Sequence, residues 1–402
     1  MKAIIQPSPL CGEVNAPASK SVAHRALICA ALSDKPTEVI CSTTSADIDA
    51  TAECLRRLGA KIERTTKGFF VEPIADSTEN AELNCGESGS TLRFMLPVAA
   101  SLGKAVSLYG SGRLPERPIG ELCNALCLHG CHTSGNAIPL TVSGKLESGE
   151  YVIDGSVSSQ FISGLLLALP QTHAESTVTV VGEIQSRPYI EMTLSVLSDF
   201  GIKTEFTENQ IRIFENNGYI SPEKYTVEGD WSNSAFFICA DVIGGNNVKC
   251  FGLTDNTAQG DRAVAEIAQK YGSDIRIDVG NIPDLVPVLA VTACFFKATT
   301  VFYNAARLKI KESDRLLSTK EMINNLGGQA EITDDTLTVY GTGKLRGGTV
   351  ESFNDHRIVM AAAIAAAASE NETVINGCEA VNKSYPTFFE EFKALGGKVI
   401  TD

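Results

Sequence analysis

Basic residues recur where apolar, helix-like stretches of this sequence begin. They are Lys20, Arg25, Arg117, Arg315, Arg357 and Lys383. The N-terminus of a helix presents unpaired backbone N–H groups and the positive end of the helix dipole, so it favours phosphate and carboxylate groups. Lysine and arginine add charge-assisted hydrogen bonds to the same anions. The pattern therefore predicts a site for polyanions, built from several helix ends.

Serine and aspartate stand at the same helix starts, for example Ser158, Asp284 and Asp355. These residues are also common N-caps, so capping alone accounts for any single helix start. Capping does not account for lysine and arginine at the same place in successive segments. For any single helix, both capping and anion binding remain possible interpretations.

Motifs for other kinds of chemistry are missing from the sequence. There is no Gly-x-x-x-x-Gly-Lys-Ser/Thr phosphate loop, no His-Glu-x-x-His zinc motif and no dinucleotide fingerprint. The segment from Gly86 to Ser90 has the wrong spacing for a nucleophile elbow. With only five histidines in the chain, we expect no metal site.

The helices that carry the basic residues belong to a repeat. Six amphipathic segments end in a glycine: Gly59, Gly130, Gly201, Gly272, Gly327 and Gly396, spaced by 71, 71, 71, 55 and 69 positions. Glycine is favoured just past a helix end, where the backbone turns left-handed. A second set of helices is apolar all round and therefore predicted to be buried. It covers roughly 21–32, 90–101, 158–169, 232–243, 284–296 and 356–368.

Each repeat of about 70 residues holds one buried helix, one outer helix and several strands, which predicts an α/β (α+β) fold. Six repeats suggest two domains of three repeats each. We expect one discontinuous domain from 1–19 and 228–402 and a second from 20–227, with hinges near Ser19 and Val227. The first strand is expected to pair with the second half of the chain.

Composition limits the partners. The chain has 402 residues, 44% of them hydrophobic, and a formal charge of −14, which disfavours nucleic acids and anionic membranes. No signal peptide is visible, and the apolar run from Ile358 to Ala368 is too short to span a bilayer. We therefore expect a cytoplasmic protein whose twelve cysteines are reduced thiols.

Ten short motifs together resemble the 3-phosphoshikimate 1-carboxyvinyltransferases, also called EPSP synthases. They are Ala18-Ser-Lys-Ser21, Gly86-Glu-Ser-Gly-Ser-Thr-Leu-Arg93, Arg113-Leu-Pro-Glu-Arg-Pro-Ile119, Ser158-Ser-Gln-Phe161, Ser186-Arg-Pro-Tyr189, Val227-Glu-Gly-Asp230, Ile282-Pro-Asp284, Lys311-Glu-Ser-Asp-Arg315, Asn354-Asp-His-Arg357 and Lys383-Ser-Tyr-Pro386. The resemblance runs from end to end. It implies two domains of three βαβαββ units (an inside-out α/β barrel) that close on the substrates.

The resemblance also implies an activity. Enzymes of this family join phosphoenolpyruvate to the 5-hydroxyl of shikimate 3-phosphate and release phosphate, by addition and elimination through a tetrahedral intermediate. They use no cofactor and no metal, and a monomer is the usual state. Their phosphoenolpyruvate site accepts the herbicide glyphosate, and we expect sensitivity here because Gly89 is not alanine.

Carried over by motif, the implied phosphoenolpyruvate ligands are Lys20, Gly89, Arg117, Gln160, Arg315, Arg357 and Lys383. The implied shikimate 3-phosphate ligands are Lys20, Ser21, Arg25, Ser158, Ser159, Gln160, Ser186, Tyr189, Asp284, Arg307 and Lys311. At Gly89 a Cβ is expected to intrude on the substrate phosphate. Glu87 stands where asparagine is common in the family, and we do not count it as a ligand.

The reaction needs a base for the 5-hydroxyl and an acid for the methylene carbon of phosphoenolpyruvate. Two carboxylates in a cationic pocket can divide these roles. We assign the hydroxyl proton to Asp284 and the methylene proton to Glu312, with assistance from Lys20. Both acids could instead be ion-pair partners of the nearby cations.

Two rival functions are weighed. The enolpyruvyl transferases that act on UDP-N-acetylglucosamine carry a reactive cysteine shortly before an Arg-Pro pair, whereas residues 110–118 contain none. The second rival is a non-catalytic homologue that only binds phosphorylated metabolites. It is disfavoured because every expected acidic and basic position is filled.

Overall fold

The computed structural model describes residues 1–76 and 78–402. The chain forms two compact units, one made of Met1–Pro17 with Gly229–Asp402 and the other of Ala18–Glu228. The chain therefore passes between the units twice, after Pro17 and after Glu228. The domain limits predicted from the sequence lie within two residues of these positions.

The helices and strands follow one another in a regular order. The helices are α1 (Lys20–Ala31), α2 (Ala46–Arg57), α3 (Gly89–Ser101), α4 (Gly120–Cys127), α5 (Ser159–Ala168), α6 (Arg187–Asp199), α7 (Trp231–Val242), α8 (Val264–Ile267), α9 (Val286–Ala293), α10 (Arg315–Asn325), α11 (His356–Ala367) and α12 (Phe388–Ala394). The strands are β1 (Lys2–Gln6), β2 (Cys11–Asn15), β3 (Thr37–Ile40), β4 (Lys61–Thr65), β5 (Gly68–Glu72), β6 (Ala81–Asn84), β7 (Val106–Tyr109), β8 (Cys131–Thr133), β9 (Leu140–Gly144), β10 (Glu150–Asp154), β11 (Ser176–Val181), β12 (Thr204–Phe206), β13 (Gln210–Ile213), β14 (Lys224–Thr226), β15 (Asn247–Phe251), β16 (Ile275–Asp278), β17 (Thr299–Tyr303), β18 (Ala330–Ile332), β19 (Leu337–Tyr340), β20 (Thr349–Glu351), β21 (Thr373–Asn376) and β22 (Lys398–Thr401).

The unit Ala18–Glu228 contains three sheets with one strand pattern. Their orders are β14-β3-β5-β4, β6-β7-β9-β8 and β10-β11-β13-β12. In each sheet the first two strands are parallel and the following pairs are antiparallel. One inner helix precedes the second strand and one outer helix follows it, so the sequence repeat corresponds to a structural one.

The other unit repeats the pattern with one exception. The sheets β16-β17-β19-β18 and β20-β21-β1-β22 are complete. The N-terminal β1 fills the third place in the second of them, between β21 and β22, which confirms its predicted pairing with the second half of the chain. The third sheet holds only the parallel pair β15-β2. Where the other repeats have a hairpin after the outer helix, this one passes from α8 towards β16. The missing hairpin explains the short spacing of 55 between Gly272 and Gly327.

The two helix sets differ in burial as predicted. All twelve residues of α11 are buried, and α3 is buried along nearly its whole length. By contrast, α2 buries one face and places acidic residues in its first turn and basic residues in its last turn. The six glycines that end the outer helical segments all have φ between 79° and 113°, the left-handed region that favours glycine. This confirms the basis on which the repeat was recognised.

The described strands form six separate open sheets, so the barrel in the implied fold is not a closed ring of hydrogen-bonded strands. In residues 1–76 and 78–402, no helix has the length and apolar character needed to cross a membrane. All twelve cysteines are free thiols.

Candidate active site

Several of the inner helices begin with a capped turn. Ser19, Ser88 and Ser158 accept hydrogen bonds from backbone N–H groups at the starts of α1, α3 and α5. Asp230 and Asp355 do the same for α7 and α11, and Asp314 caps the outer helix α10 in the same way. Capping is thus confirmed for these helices. It coexists with the basic residues, which lie in or next to the same first turns.

Lys20 opens α1, and its ammonium group is already paired in this structure. Its Nζ donates to Oδ2 of Asp47 at 2.8 Å, and both side chains are largely buried. Asp47 lies in the first turn of α2, where Ser45 is the N-cap. An anionic substrate that binds Lys20 would therefore compete with Asp47 for the ammonium group.

Arg25 is almost completely buried, with 1% of its surface exposed. Its guanidinium donates to the hydroxyl of Thr193 at 2.7 Å and to the carbonyls of Ser21 and Tyr189 at 2.6 and 3.0 Å. It also lies 4.9 Å from the ring centroid of Phe94. Burial lowers the pKa of Arg25 to about 10. Three of the predicted shikimate 3-phosphate ligands (Ser21, Arg25 and Tyr189) are therefore held together.

Ser186, another predicted ligand, is buried just before α6 and has φ 56° and ψ 41°. A non-glycine residue rarely adopts this left-handed conformation, and such strain is often found at functional sites. The carbonyl of Ser186 accepts a hydrogen bond from the N–H of Tyr189 at 3.0 Å. The turn therefore joins two of the predicted ligands.

The start of α5 carries Ser158, Ser159 and Gln160, and neighbouring helices fix the amide of Gln160. Its Oε1 accepts from Nη1 of Arg93 at 2.6 Å, and its Nε2 donates to the hydroxyl of Ser90 at 2.9 Å. Both partners belong to α3. These two hydrogen bonds fix which end of the Gln160 amide is the oxygen and which is the nitrogen.

Arg117 packs on the first residue of α3. A Cβ built on Gly89 would fall 2.5 Å from Nη1 and 2.7 Å from Cζ of Arg117. Arg93 supports the same segment by donating to the carbonyl of Pro118 at 3.0 Å. An added methyl group at position 89 would therefore meet the Arg117 guanidinium whether or not a phosphate is present, which is a second reason for glycine there.

In the unit that contains residues 229–402, Arg315 is bonded to three carboxylates. It is 1% exposed and donates to Asp284 Oδ1 at 2.7 Å, to Glu312 Oε2 at 2.6 Å and to Asp355 Oδ2 at 2.7 Å. Asp284 lies in the short 3-10 helix Pro283–Leu285, and Glu312 lies just before α10. The two predicted acid–base residues therefore share one guanidinium.

Arg357 and Lys311 complete this cluster around Asp284. Nη2 of Arg357 lies 3.0 Å from Asp284 Oδ2, and Nζ of Lys311 lies 3.6 Å from Asp284 Oδ1. Burial lowers the pKa of Lys311 to about 8, against the opposing effect of the Asp284 charge. Arg307, in the 3-10 helix Ala306–Ile310, adds positive charge that acts on Lys311. The cluster thus holds several cations and acids at close range.

Lys383 contacts the protein backbone. Its Nζ donates to the carbonyl of Asn354 at 2.6 Å, which joins it to the loop before α11. His356 in that helix is buried. Among the described residues, no group of histidine, cysteine, aspartate and glutamate side chains could hold a metal ion.

Comparison with known proteins places this geometry in a family. The model of the EPSP synthase (3-phosphoshikimate 1-carboxyvinyltransferase) family matches residues 4–392. The chain belongs to the EPSP synthase family. A 3-phosphoshikimate 1-carboxyvinyltransferase of Clostridium kluyveri is 38% identical over 415 residues, which cover 98% of this chain and 97% of that protein.

Other EPSP synthases support the assignment. The enzyme of the same name from Clostridium novyi is 38% identical over 422 residues, with 98% and 97% coverage, and that of Methanococcus aeolicus is 34% identical over 419 residues, with 96% and 97% coverage. A solved EPSP synthase from Acinetobacter baumannii has a TM-score of 0.83 at 24% identity and covers all of both chains. This structural likeness confirms the predicted fold class.

Sequence reasoning assigned no role to four residues that act on the predicted site residues, two in each of the compact units. They are Asp47, Arg93, Asp261 and Asp355. Arg93 and Asp355 lie inside motifs that were recognised, but their partners are distant in the sequence. Asp261 is a buried acid whose pKa is raised to about 7, by burial and by the charge of Asp284. The sequence signal for Asp261 was its place in a Gln-Gly-Asp run at the start of a helical segment.

Proposed function

We propose that this protein transfers the enolpyruvyl group of phosphoenolpyruvate to the 5-hydroxyl of shikimate 3-phosphate and releases phosphate. The observation that carries the proposal is the cluster around Arg315. A buried guanidinium there binds both Asp284 and Glu312, the two carboxylates assigned to proton transfer. Membership of the EPSP synthase family supports the choice of substrates.

The proposed ligands divide by charge and position. Phosphoenolpyruvate would be held by Lys20, Gly89, Arg117, Gln160, Arg315, Arg357 and Lys383. Shikimate 3-phosphate would be held by Lys20, Ser21, Arg25, Ser158, Ser159, Gln160, Ser186, Tyr189, Asp284, Arg307 and Lys311. The network around Arg25 supports this division, because it brings three of the shikimate 3-phosphate ligands together before any substrate binds.

The chemistry proceeds in two steps. In the addition, Asp284 accepts the proton of the 5-hydroxyl while Glu312 donates a proton to the methylene carbon, and the hydroxyl oxygen bonds to C2 of phosphoenolpyruvate. In the elimination, the new methyl group returns a proton to the Glu312 carboxylate, the double bond re-forms, and the bond from C2 to the phosphate oxygen breaks. The departing phosphate takes up the proton held by Asp284, so both acids regain their starting states. Lys20 assists by offsetting negative charge on the leaving phosphate.

Substrate binding would prepare Glu312 for its role. In the free protein its carboxylate accepts a hydrogen bond from Arg315. The carboxylate of phosphoenolpyruvate would compete for the same guanidinium. A carboxylate that loses a cationic partner holds a proton more readily, which is what a general acid requires.

The direct test is a phosphate-release assay with purified protein, phosphoenolpyruvate and either shikimate 3-phosphate or UDP-N-acetylglucosamine. Phosphate and the enolpyruvyl ether should form when phosphoenolpyruvate is mixed with shikimate 3-phosphate. Neither should form when it is mixed with UDP-N-acetylglucosamine. Release with the nucleotide sugar would identify the rival transferase. Tight binding of both proposed substrates without phosphate release would identify a non-catalytic homologue.

We further propose that the enzyme acts as a monomer in the cytoplasm, with no nucleic-acid or membrane partner. The formal charge of −14 supports the exclusion of polyanionic partners. Sedimentation of the purified protein tests the monomer, and a mass of about twice 42.8 kDa would overturn it.

A further inference from the structure

Glu87 carries a negative charge next to the start of α3, where the proposed function needs an anion site. The structure shows where this charge lies. A Cβ built on Gly112 would fall 2.5 Å from Oε2 and 2.6 Å from Cδ of Glu87. The carboxylate therefore rests against the backbone of Gly112, in the loop between β7 and α4. Gly112 has no Cβ, which leaves room for this contact, and its φ of 58° lies in the left-handed region that favours glycine.

Two backbone hydrogen bonds join the same pair of loops. The N–H of Cys85 donates to the carbonyl of Tyr109, and the N–H of Ser111 donates to the carbonyl of Gly86, both at 2.8 Å. A Cβ on Gly110 would fall 2.7 Å from that Gly86 carbonyl oxygen. The Glu87 side chain thus adds a third contact between loops that are already closely apposed.

The second loop leads directly to Arg117. The N–H of Leu114 donates to the carbonyl of Ser111, and the N–H of Arg117 donates to the carbonyl of Leu114, both at 3.2 Å. At the end of this path the Arg117 guanidinium rests on Gly89. Glu87 and Gly89, two positions apart, therefore contact the two ends of the segment 112–117.

We propose that Glu87 is a positioning residue, which fixes the loop 110–117 so that Arg117 stays over the start of α3. This inference rests on the proposed function, in which Arg117 and Gly89 bind phosphoenolpyruvate. The contact also keeps the Glu87 carboxylate against Gly112. Glu87 acts on phosphoenolpyruvate through Arg117, not by touching it, so its loss should affect one substrate more than the other.

The test compares Glu87→Ala and Glu87→Gln in steady-state kinetics. Glu87→Ala should raise the KM for phosphoenolpyruvate about tenfold, because a loosened Arg117 is no longer held in place. The KM for shikimate 3-phosphate and kcat should change less than about twofold. Glu87→Gln keeps the length and polar end of the side chain and should restore most of the loss. Glu82→Ala is the matched control, because Glu82 is exposed on the strand that leads into the same loop.

A second variant tests the contact itself. Gly112→Ala places a methyl group where Glu87 lies, so it should raise the same KM. Combined with Glu87→Ala, its effect should be less than multiplicative, because both changes break one contact. Equal rises in both KM values, no rescue by glutamine, or fully multiplicative effects would overturn the proposal.

Hydrogen exchange separates this inference from the proposed function. Amides of residues 110–117 should exchange faster in Glu87→Ala than in the unmodified protein, whatever reaction the protein catalyses. If the unmodified protein released no phosphate but the loop exchanged faster, the proposed function would fail and the positioning role would stand. Unchanged exchange in a folded Glu87→Ala variant would refute the positioning role.

Discussion

At the scale of single residues, one buried cation, Arg315, is shared among three carboxylates. Arg315 serves Asp284, Glu312 and Asp355, and Asp355 is itself completely buried. Removing one member of a buried ionic group leaves an uncompensated charge, which costs about 3–5 kcal/mol. The arrangement thus couples the protonation state of the acids to the position of one guanidinium.

Gly89→Ala should weaken phosphoenolpyruvate binding. The added methyl group would lie 2.5 Å from Nη1 of Arg117, so the guanidinium must move. We expect the KM for phosphoenolpyruvate to rise by about tenfold or more and inhibition by glyphosate to weaken in parallel. The KM for shikimate 3-phosphate should stay nearly constant, and a change in that constant alone would contradict the assignment of Gly89.

Binding of shikimate 3-phosphate should depend on pH through Lys311. Burial places the pKa of Lys311 at about 8, so this lysine loses its charge as the pH rises through that value. The KM for shikimate 3-phosphate should therefore increase above about pH 8. In Lys311→Arg, whose guanidinium stays charged, the increase should disappear or move to higher pH. An unchanged profile in this variant would remove Lys311 from the binding step.

At the scale of elements, the repeat was predictable because it rests on local chemistry. Each outer helical segment ends at a glycine with positive φ, and that requirement is visible in the sequence. The loss of one hairpin was not predicted, although it shortens the spacing between Gly272 and Gly327 to 55 positions. Short strands have weak local signals, and their existence is decided by the partner strand.

The incomplete sheet should be the least protected of the six. In the described part of the chain β15 pairs with β2 alone, and a cavity of about 320 Å³ lies between α7, β15 and α8. β15 therefore has a described strand on one side only, whereas β17 lies between β16 and β19. Hydrogen exchange followed by mass spectrometry should show faster exchange in β15 than in β17. Equal protection would mean that other groups cover this edge.

At the scale of the whole molecule, the motifs named the residues of the candidate site but not the contacts that hold those residues within each unit. Lys20, Arg117 and Arg315 were found from their types and positions. Asp47 and Arg93 were missed because their roles depend on contacts between separate helices, 27 and 67 positions from their partners. Such pairs form only when the repeats pack, and a single sequence carries no direct record of packing.

The central claim is that Asp284 and Glu312 move the protons of an enolpyruvyl transfer. The most direct test is Glu312→Gln, compared with Glu390→Gln as an exposed control. Calorimetry should show that Glu312→Gln still binds both substrates, while phosphate release falls by about a thousandfold or more. The control should keep full activity. Unchanged phosphate release in Glu312→Gln would contradict the account.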